Sequence, residues 1–307
     1  VSSLRANNVS KTYDGIRALD NFSFSVEKGE ILALLGPDGA GKTSLMRILC
    51  DLIDPDHSEE TSITLDGVDV LKHFDQVKDR VGYMPQTFSL YPDLSVEENM
   101  TFYAGIYGFT GARYREKRDL MYTFSNLGPF SGRRAGALSG GMKQKLALSC
   151  ALMHDPSLLI LDEPTTGVDP LSRRQFWEML LDLKRQGVTI LVATPYMDEV
   201  ARTDRAVCIM GGRKLTEASP IELAEQFEGV IYELAMEPSR ELIGRLNDID
   251  GLTVRRFGAA MHVYLHEGDR IDRYLDRLAA IGVDQTRIHP LKPSIEDRFI
   301  QLMEQPS

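Results

Sequence analysis

The chain of 307 residues is long enough for one large domain, or for a large domain with a smaller companion. Hydrophobic residues make up 43% and charged residues 26%, as in a globular protein with a sizeable core, and no apolar run reaches the roughly 18 residues of a membrane helix. A formal net charge of −10 argues against broad, sequence-independent nucleic-acid binding, and the scattered Cys50, Cys150 and Cys208 have no metal-ligand spacing and read as reduced core thiols of a cytoplasmic protein.

The opening VSSLRANNVS holds no segment of signal-peptide type, and its missing initiator Met is compatible with a start inside a longer chain. FSFSVEKGEILALLG alternates and then becomes continuously apolar. It predicts an edge strand over Phe22–Val26, a turn at Lys28-Gly29 and a buried strand over Ile31–Leu35. A helix follows from Lys42 to about Cys50, and SITLDGVDV reads as a hairpin turning at Asp66-Gly67. Residues 96 to 150 are mostly helical in pattern. SLLILD and VTILVAT are two more buried strands, and RAVCIM with GRKLTEA reads as a closing pair. Buried strands alternating with helices predict a mostly parallel sheet in an α/β core.

After about Glu228 the texture changes. VIYELAM, SRELIGRLNDI, LTVRRFG, MHVYLHE, DRYLDRLAAIG and QTRIHP follow the order β-α-β-β-α-β of ferredoxin-like domains. A last helix begins with Ser294 as its N-cap and Asp297 in its first turn. The expected division is 1–228 and 229–307. His262 and His266 share one face of a predicted strand. Without a recognised carboxylate or cysteine beside them they read as exposed histidines rather than a metal site.

GPDGAGKT, Gly36 to Thr43, matches G-x-x-x-x-G-K-[ST] between a predicted strand and a predicted helix, which is the setting a P-loop requires. The glycines let the backbone wrap N–H groups around phosphate oxygens, and the helix start adds its own donors and partial positive charge. Lys42 is expected to reach the β- and γ-phosphates and Thr43 to ligate Mg²⁺. The expected nucleotide-binding set is Gly36, Pro37, Asp38, Gly39, Ala40, Gly41, Lys42, Thr43 and Ser44. SLLILDEP then places Asp162 and Glu163 at the C-terminal end of a buried strand, where ligands bind in open α/β sheets. Asp162 suits the Mg²⁺ shell and Glu163 the polarisation of an attacking water. Alone, the pair reads equally as a helix cap.

LSGGMKQK, Leu138 to Lys145, narrows the class. Ser139, Gly140 and Gly141 lie between the P-loop and the Asp162-Glu163 strand, and this order resembles ABC-type ATPases over about residues 3 to 227. The resemblance implies an antiparallel β lobe and a helical lobe on the P-loop core, with ATP and Mg²⁺ as the bound species. It implies Tyr13 as the aromatic on adenine and Gln86 as the glutamine near Mg²⁺ and the γ-phosphate. Lys42, Gln86 and Glu163 become the catalytic set, and Thr43, Gln86 and Asp162 the metal set. The family's head-to-tail dimer would apply Ser139, Gly140 and Gly141 to the partner's nucleotide. Val168-Asp169 resembles the D-loop. Phe88, Leu90 and Tyr91 read equally as a groove for membrane subunits or as packing of the helical lobe. Lys143 and Lys145 read as a solvated helix face.

The family's next strand normally ends in a histidine that holds the γ-phosphate. VTILVATPYMDE places Pro195 there, a residue with neither a polar side chain nor an N–H. The resemblance is closest to the first ATPase domain of tandem proteins, some serving drug-efflux exporters and one group described as ribosome-associated. It implies an ATPase coupled to export, paired with a second ATPase domain (homodimer or tandem) and with transmembrane permease domains, and Pro195 adds the expectation of slow turnover at its own site. The location implied is cytoplasmic and peripheral to the membrane, with no direct nucleic-acid contact. Two other readings stay open: an ABC ATPase acting on ribosomes, and a nucleotide-gated dimerisation module that does not hydrolyse ATP.

Overall fold

A computed structural model describes residues 2–266 and 268–304, and the chain divides between Pro220 and Ile221 into two compact units. In the first unit the chain runs β1 (Ser2–Tyr13), β2 (Ile16–Glu27), β3 (Ile31–Leu35), α1 (Lys42–Leu49), β4 (Ser62–Leu65), β5 (Val68–Asp69), α2 (Val70–His73) and β6 (Val81–Met84). It continues through α3 (Val96–Ile106), α4 (Gly111–Ser125), α5 (Gly140–Ala151), β7 (Leu158–Asp162) and α6 (Pro170–Arg185). It closes with β8 (Thr189–Thr194), α7 (Met197–Val200), β9 (Arg205–Met210) and β10 (Arg213–Ala218), and the helix α8 (Pro220–Glu225) starts at the boundary and belongs to the second unit from Ile221 onward.

The six-stranded sheet has the order β10-β9-β3-β8-β7-β6, parallel except for the antiparallel β10. Every residue of β3, β7 and β8 is buried, so these strands carry continuous apolar runs instead of alternation. A second sheet, β2-β1-β4-β5, is antiparallel. Leu4, Phe22, Leu34, Leu45, Met46 and Ile160 belong to one core that joins both sheets and α1. The predicted edge strand is longer than Phe22–Val26 and pairs with β1, which the sequence pattern hides. Asn8 has φ 49° and the register slips between Ala6 and Val9, so the buried phase changes mid-strand and strict alternation is lost. The hairpin at Asp66-Gly67 forms with positive φ at both residues, 47° and 83°, as a type I′ turn demands.

Helix α3 is opened by a capping box in which Ser95 and Glu98 each accept the other's backbone N–H. Helix α5 packs against α3, α4 and α6. Lys143 and Lys145 on α5 are half-buried, a correction to the solvated-face reading. The Lys143 ammonium lies 5.5 Å from the Phe88 ring centroid, and Lys145 donates to Gln175 at 2.8 Å. No helix is long and apolar enough to cross a membrane among the described residues.

The second unit contains β11 (Val230–Leu234), α9 (Arg240–Asn247), β12 (Thr253–Phe257), β13 (Ala260–Leu265), α10 (Leu275–Ala280), β14 (Ile288–Leu291) and α11 (Ile295–Glu304). Its sheet order is β12-β13-β11-β14, with each neighbouring pair antiparallel, which is the split βαβ arrangement. Ser294 caps α11, accepting the Asp297 N–H at 3.2 Å while Asp297 accepts the Ser294 N–H at 2.8 Å. His262 corrects its sequence reading: it is 4% exposed, 3.1 Å from Asp297 Oδ1, and stacked on Phe257. The carboxylate comes from α11, 35 residues away in sequence, which strand periodicity cannot reveal. His266 follows the strand and is exposed, and no metal-binding cluster of His, Cys, Asp or Glu exists among the described residues.

Candidate nucleotide site

The site forms where the central strands end. β3 runs into the P-loop and α1, β7 into Asp162-Glu163, and β8 into Pro195. The register aligns these exits, with Leu35 opposite Thr194 and Asp162 opposite Ala193. Gly41 begins α1 with φ 107°, and a Cβ there would lie 2.2 Å from the Ala18 carbonyl oxygen, so only glycine fits this approach. The loop places Lys42 inside the protein at 3% exposure, where Nζ donates to Gly36 O (2.8 Å) and Pro37 O (3.0 Å).

Glu163 takes the left-handed conformation, φ 50°, and its carboxylate turns back towards the loop. Its Oε1 is 3.0 Å from Lys42 Nζ, while Oε2 accepts from Gln86 Nε2 at 3.0 Å and from the Thr166 hydroxyl at 3.3 Å. Next to it the Thr43 hydroxyl donates to Asp162 Oδ1 at 3.2 Å, and Asp162 Oδ2 is buried without a hydrogen-bond partner. Burial, with the Glu163 charge adding to it, holds the Asp162 carboxyl above the usual carboxylate range against the Thr43 hydrogen bond. An oxygen set of this kind, with one lone carboxylate oxygen in a dry position, fits a hard divalent cation such as Mg²⁺.

A cavity of about 390 Å³ opens over these groups, lined by Tyr13, Asp38, Lys42, Thr43, Gln86 and Glu163 among others. Gly39, Gly41 and Ser44 also reach it, whereas Gly36, Pro37, Ala40 and Asp162 are not among its lining residues. Tyr13 is 41% exposed at its edge. Ser139, Gly140 and Gly141 do not line this cavity. They open α5, where Ser139 caps the helix, and a Cβ on Gly141 would lie 2.4 Å from Ser172 Cβ at the start of α6.

Pro195 stands beyond Thr194 without lining the cavity. Behind it lies a network that the sequence reading did not single out. Glu199, 1% exposed, accepts from Thr165 at 2.5 Å and from Thr194 at 2.6 Å, and the Arg173 guanidinium covers the Tyr196 ring at 4.4 Å. Its only sequence signal was an acid in the first turn of a short helix, which usually marks a solvated cap.

A parallel sheet whose strand ends assemble a P-loop lysine, an adjacent Asp-Glu pair and a glutamine defines a P-loop ATPase. The comparisons specify the branch. The family model described as ABC transporter matches residues 19–166. The chain is 36% identical over 307 residues to "Probable multidrug ABC transporter ATP-binding protein YbhF" of Escherichia coli, covering 97% of this chain and 51% of that protein. It is also 36% identical to "Nod factor export ATP-binding protein I" of Cupriavidus metallidurans, covering 97% and 96% of the two chains. Among solved structures, a dimeric post-hydrolysis state of the ATP-binding cassette MJ0796 bound to ADP and Pi superposes with a TM-score of 0.64 at 25% identity, over 70% of this chain and 98% of that one. The chain belongs to the ABC transporter ATP-binding family, and it spans about half the length of the YbhF proteins it matches.

Proposed function

We propose that this chain is the ATP-hydrolysing component of an ABC exporter, and that its own site turns over slowly because residue 195 is proline. Lys42 binds the β- and γ-phosphates, the P-loop N–H groups surround them, and Tyr13 packs on the adenine. Thr43, Asp162 and Gln86 would hold Mg²⁺, which would supply charge neutralisation to the phosphates. Glu163 accepts a hydrogen bond from the attacking water.

The observation that carries this reading is the buried pair Lys42–Glu163 at 3.0 Å, bracketed by Gln86. Phosphate oxygens compete with Glu163 for the lysine, so nucleotide binding frees the carboxylate for water where the γ-phosphate arrives. A histidine after β8 would add a donor to that γ-phosphate, and proline adds none. A degenerate site suits an asymmetric pair, in which Ser139, Gly140 and Gly141 serve the nucleotide of a second ATPase domain. The export role rests on the multidrug and Nod-factor relatives. Permease domains would hold the chain at the membrane through the segment of Phe88, Leu90 and Tyr91, of which Tyr91 is exposed beside Phe102 while Leu90 is buried in the packing.

Single-turnover phosphate release tests the chemistry. Glu163→Gln is isosteric and leaves Lys42 its two carbonyl acceptors. Release is expected to fall by ~10²–10⁴ while ATP binding is kept. Equal, background-level release by both proteins would make the chain a nucleotide-gated module instead.

A further inference from the structure

We propose that a second cavity, on the flank of α6, binds a small phosphate-bearing anion. It measures about 300 Å³, at the lower end of ligand pockets. Arg173, Arg174 and Trp177 line one side, and Asp198, Glu199 and Arg202 line the other. None of these residues lines the nucleotide cavity. Arg173 and Arg174 stand four and three residues before Trp177, so helical spacing turns all three to one region of the α6 surface.

The polar groups here are short of acceptors. Trp177 is 1% exposed, and its indole N–H is buried without a partner. Arg173 Nε is likewise buried and unpaired. Both groups can only donate, and orphaned buried donors are uncommon in folded proteins. The nearby carboxylates lie in ion-pair range of Arg173 but leave both donors without a hydrogen bond. Both Glu199 oxygens are taken by Thr165 and Thr194, and Oε1 stays 3.8 Å from Arg173 Nε. Asp198 is 3.5 Å from Arg173 NH1 with its side chain 71% exposed, and Arg202 reaches only Glu178 at 3.4 Å. Arg174 is exposed, with no ion-pair partner among the described residues.

The complement of this set is an acceptor-only ligand. Guanidinium forks match both carboxylates and phosphates. A tetrahedral oxyanion has enough oxygens to meet the Arg173, Arg174 and Arg202 guanidinium groups lining the cavity, whereas a carboxylate has two. The ligand is therefore a phosphate group, either free or on a small metabolite.

Trp177 is the one tryptophan in the chain, so its emission reports directly on this cavity. Titration of the whole chain at constant ionic strength uses inorganic phosphate and glycerol phosphate, with acetate as control. A saturable emission change is expected with phosphate and not with acetate, in both the wild type and Lys42→Ala. Arg174→Ala, at an exposed position away from the core, weakens binding roughly ten- to a hundredfold. Tighter binding of inorganic phosphate identifies the free ion, and tighter binding of glycerol phosphate a metabolite. The proposal is overturned by an unsaturable response, as when water satisfies both donors, by equal response to acetate, or by indifference to Arg174→Ala. A response abolished in folded Lys42→Ala also overturns it, since that would place the phosphate in the P-loop. That outcome leaves the ATPase reading intact.

Discussion

Replacing Pro195 with histidine is the most direct test of slow turnover. The strand register sets residue 195 just past the pairs Leu35–Thr194 and Asp162–Ala193, at the rim that carries the P-loop and Glu163. The Thr194 hydroxyl is turned towards Glu199 at 2.6 Å, and Pro195 is the first residue beyond the strand. A positioned polar or acid–base group contributes ~10²–10⁴ in rate, about 3–5 kcal/mol of barrier. Gln86 already touches Glu163 at 3.0 Å and supplies part of that positioning, so the gain belongs at or below the low end, about ten- to a hundredfold. Removing proline also frees the unfolded chain, which costs about 0.4–1 kcal/mol of stability. The assay is single-turnover phosphate release at saturating MgATP in the assembled ATPase pair, beside a thermal melt. An unchanged rate in Pro195→His that melts within a few degrees of the wild type would refute the argument, because geometry and fold would both be present without the chemistry.

Asp162→Asn is expected to stabilise the nucleotide-free protein by about 1–2 kcal/mol, since it removes a buried charge with one lone oxygen. The raised carboxyl pKa fixes the sign: its contribution to stability is lost as pH rises from the usual 3.8 through the folded value, so the ionised group is unfavourable at neutral pH. Melts without nucleotide check the gain, and ATP titrations with and without Mg²⁺ should show that the metal no longer strengthens binding. Asp297 has the opposite sign. Burial alone would raise its pKa, but hydrogen bonds from Ser294, Tyr264 and His262 outweigh burial and lower it. Its contribution is therefore present above the usual value of 3.8 and is lost as pH falls through the folded one. Asp297→Asn should cost the second unit about 1.5–3 kcal/mol at pH 7, a difference that shrinks in acid and is read by urea melts at several pH values. Burial raises the Cys50 and Cys150 thiols far above their ordinary range, so thiol reagents should label them only on denaturation, as mass spectrometry of native and urea-treated protein would reveal.

Much of the fold was legible because its signals are local. β3, β7 and β8 are buried on both faces and carry unbroken apolar runs. Asp66-Gly67 announces a turn with positive φ at both residues. Ser294 and Asp297 announce a helix start three residues apart. Strand β1 was not legible, because its bulge at Asn8 breaks the period that identifies a strand. His262 was misread, because its partner arrives from another element.

The same boundary runs through the site. Sequence alone determined which groups stand at the strand exits: the glycine loop with Lys42 and Thr43, the Asp162-Glu163 pair, and proline at 195. Those assignments follow from short-range backbone geometry, which a few consecutive residues impose. Only the tertiary structure decided that Lys42 and Glu163 pair inside the core, that Asp162 keeps an unpartnered oxygen, and that Arg202 lines one cavity with Arg173 and Trp177. Burial and pairing depend on what chain packing brings together from distant positions, and no local pattern encodes them.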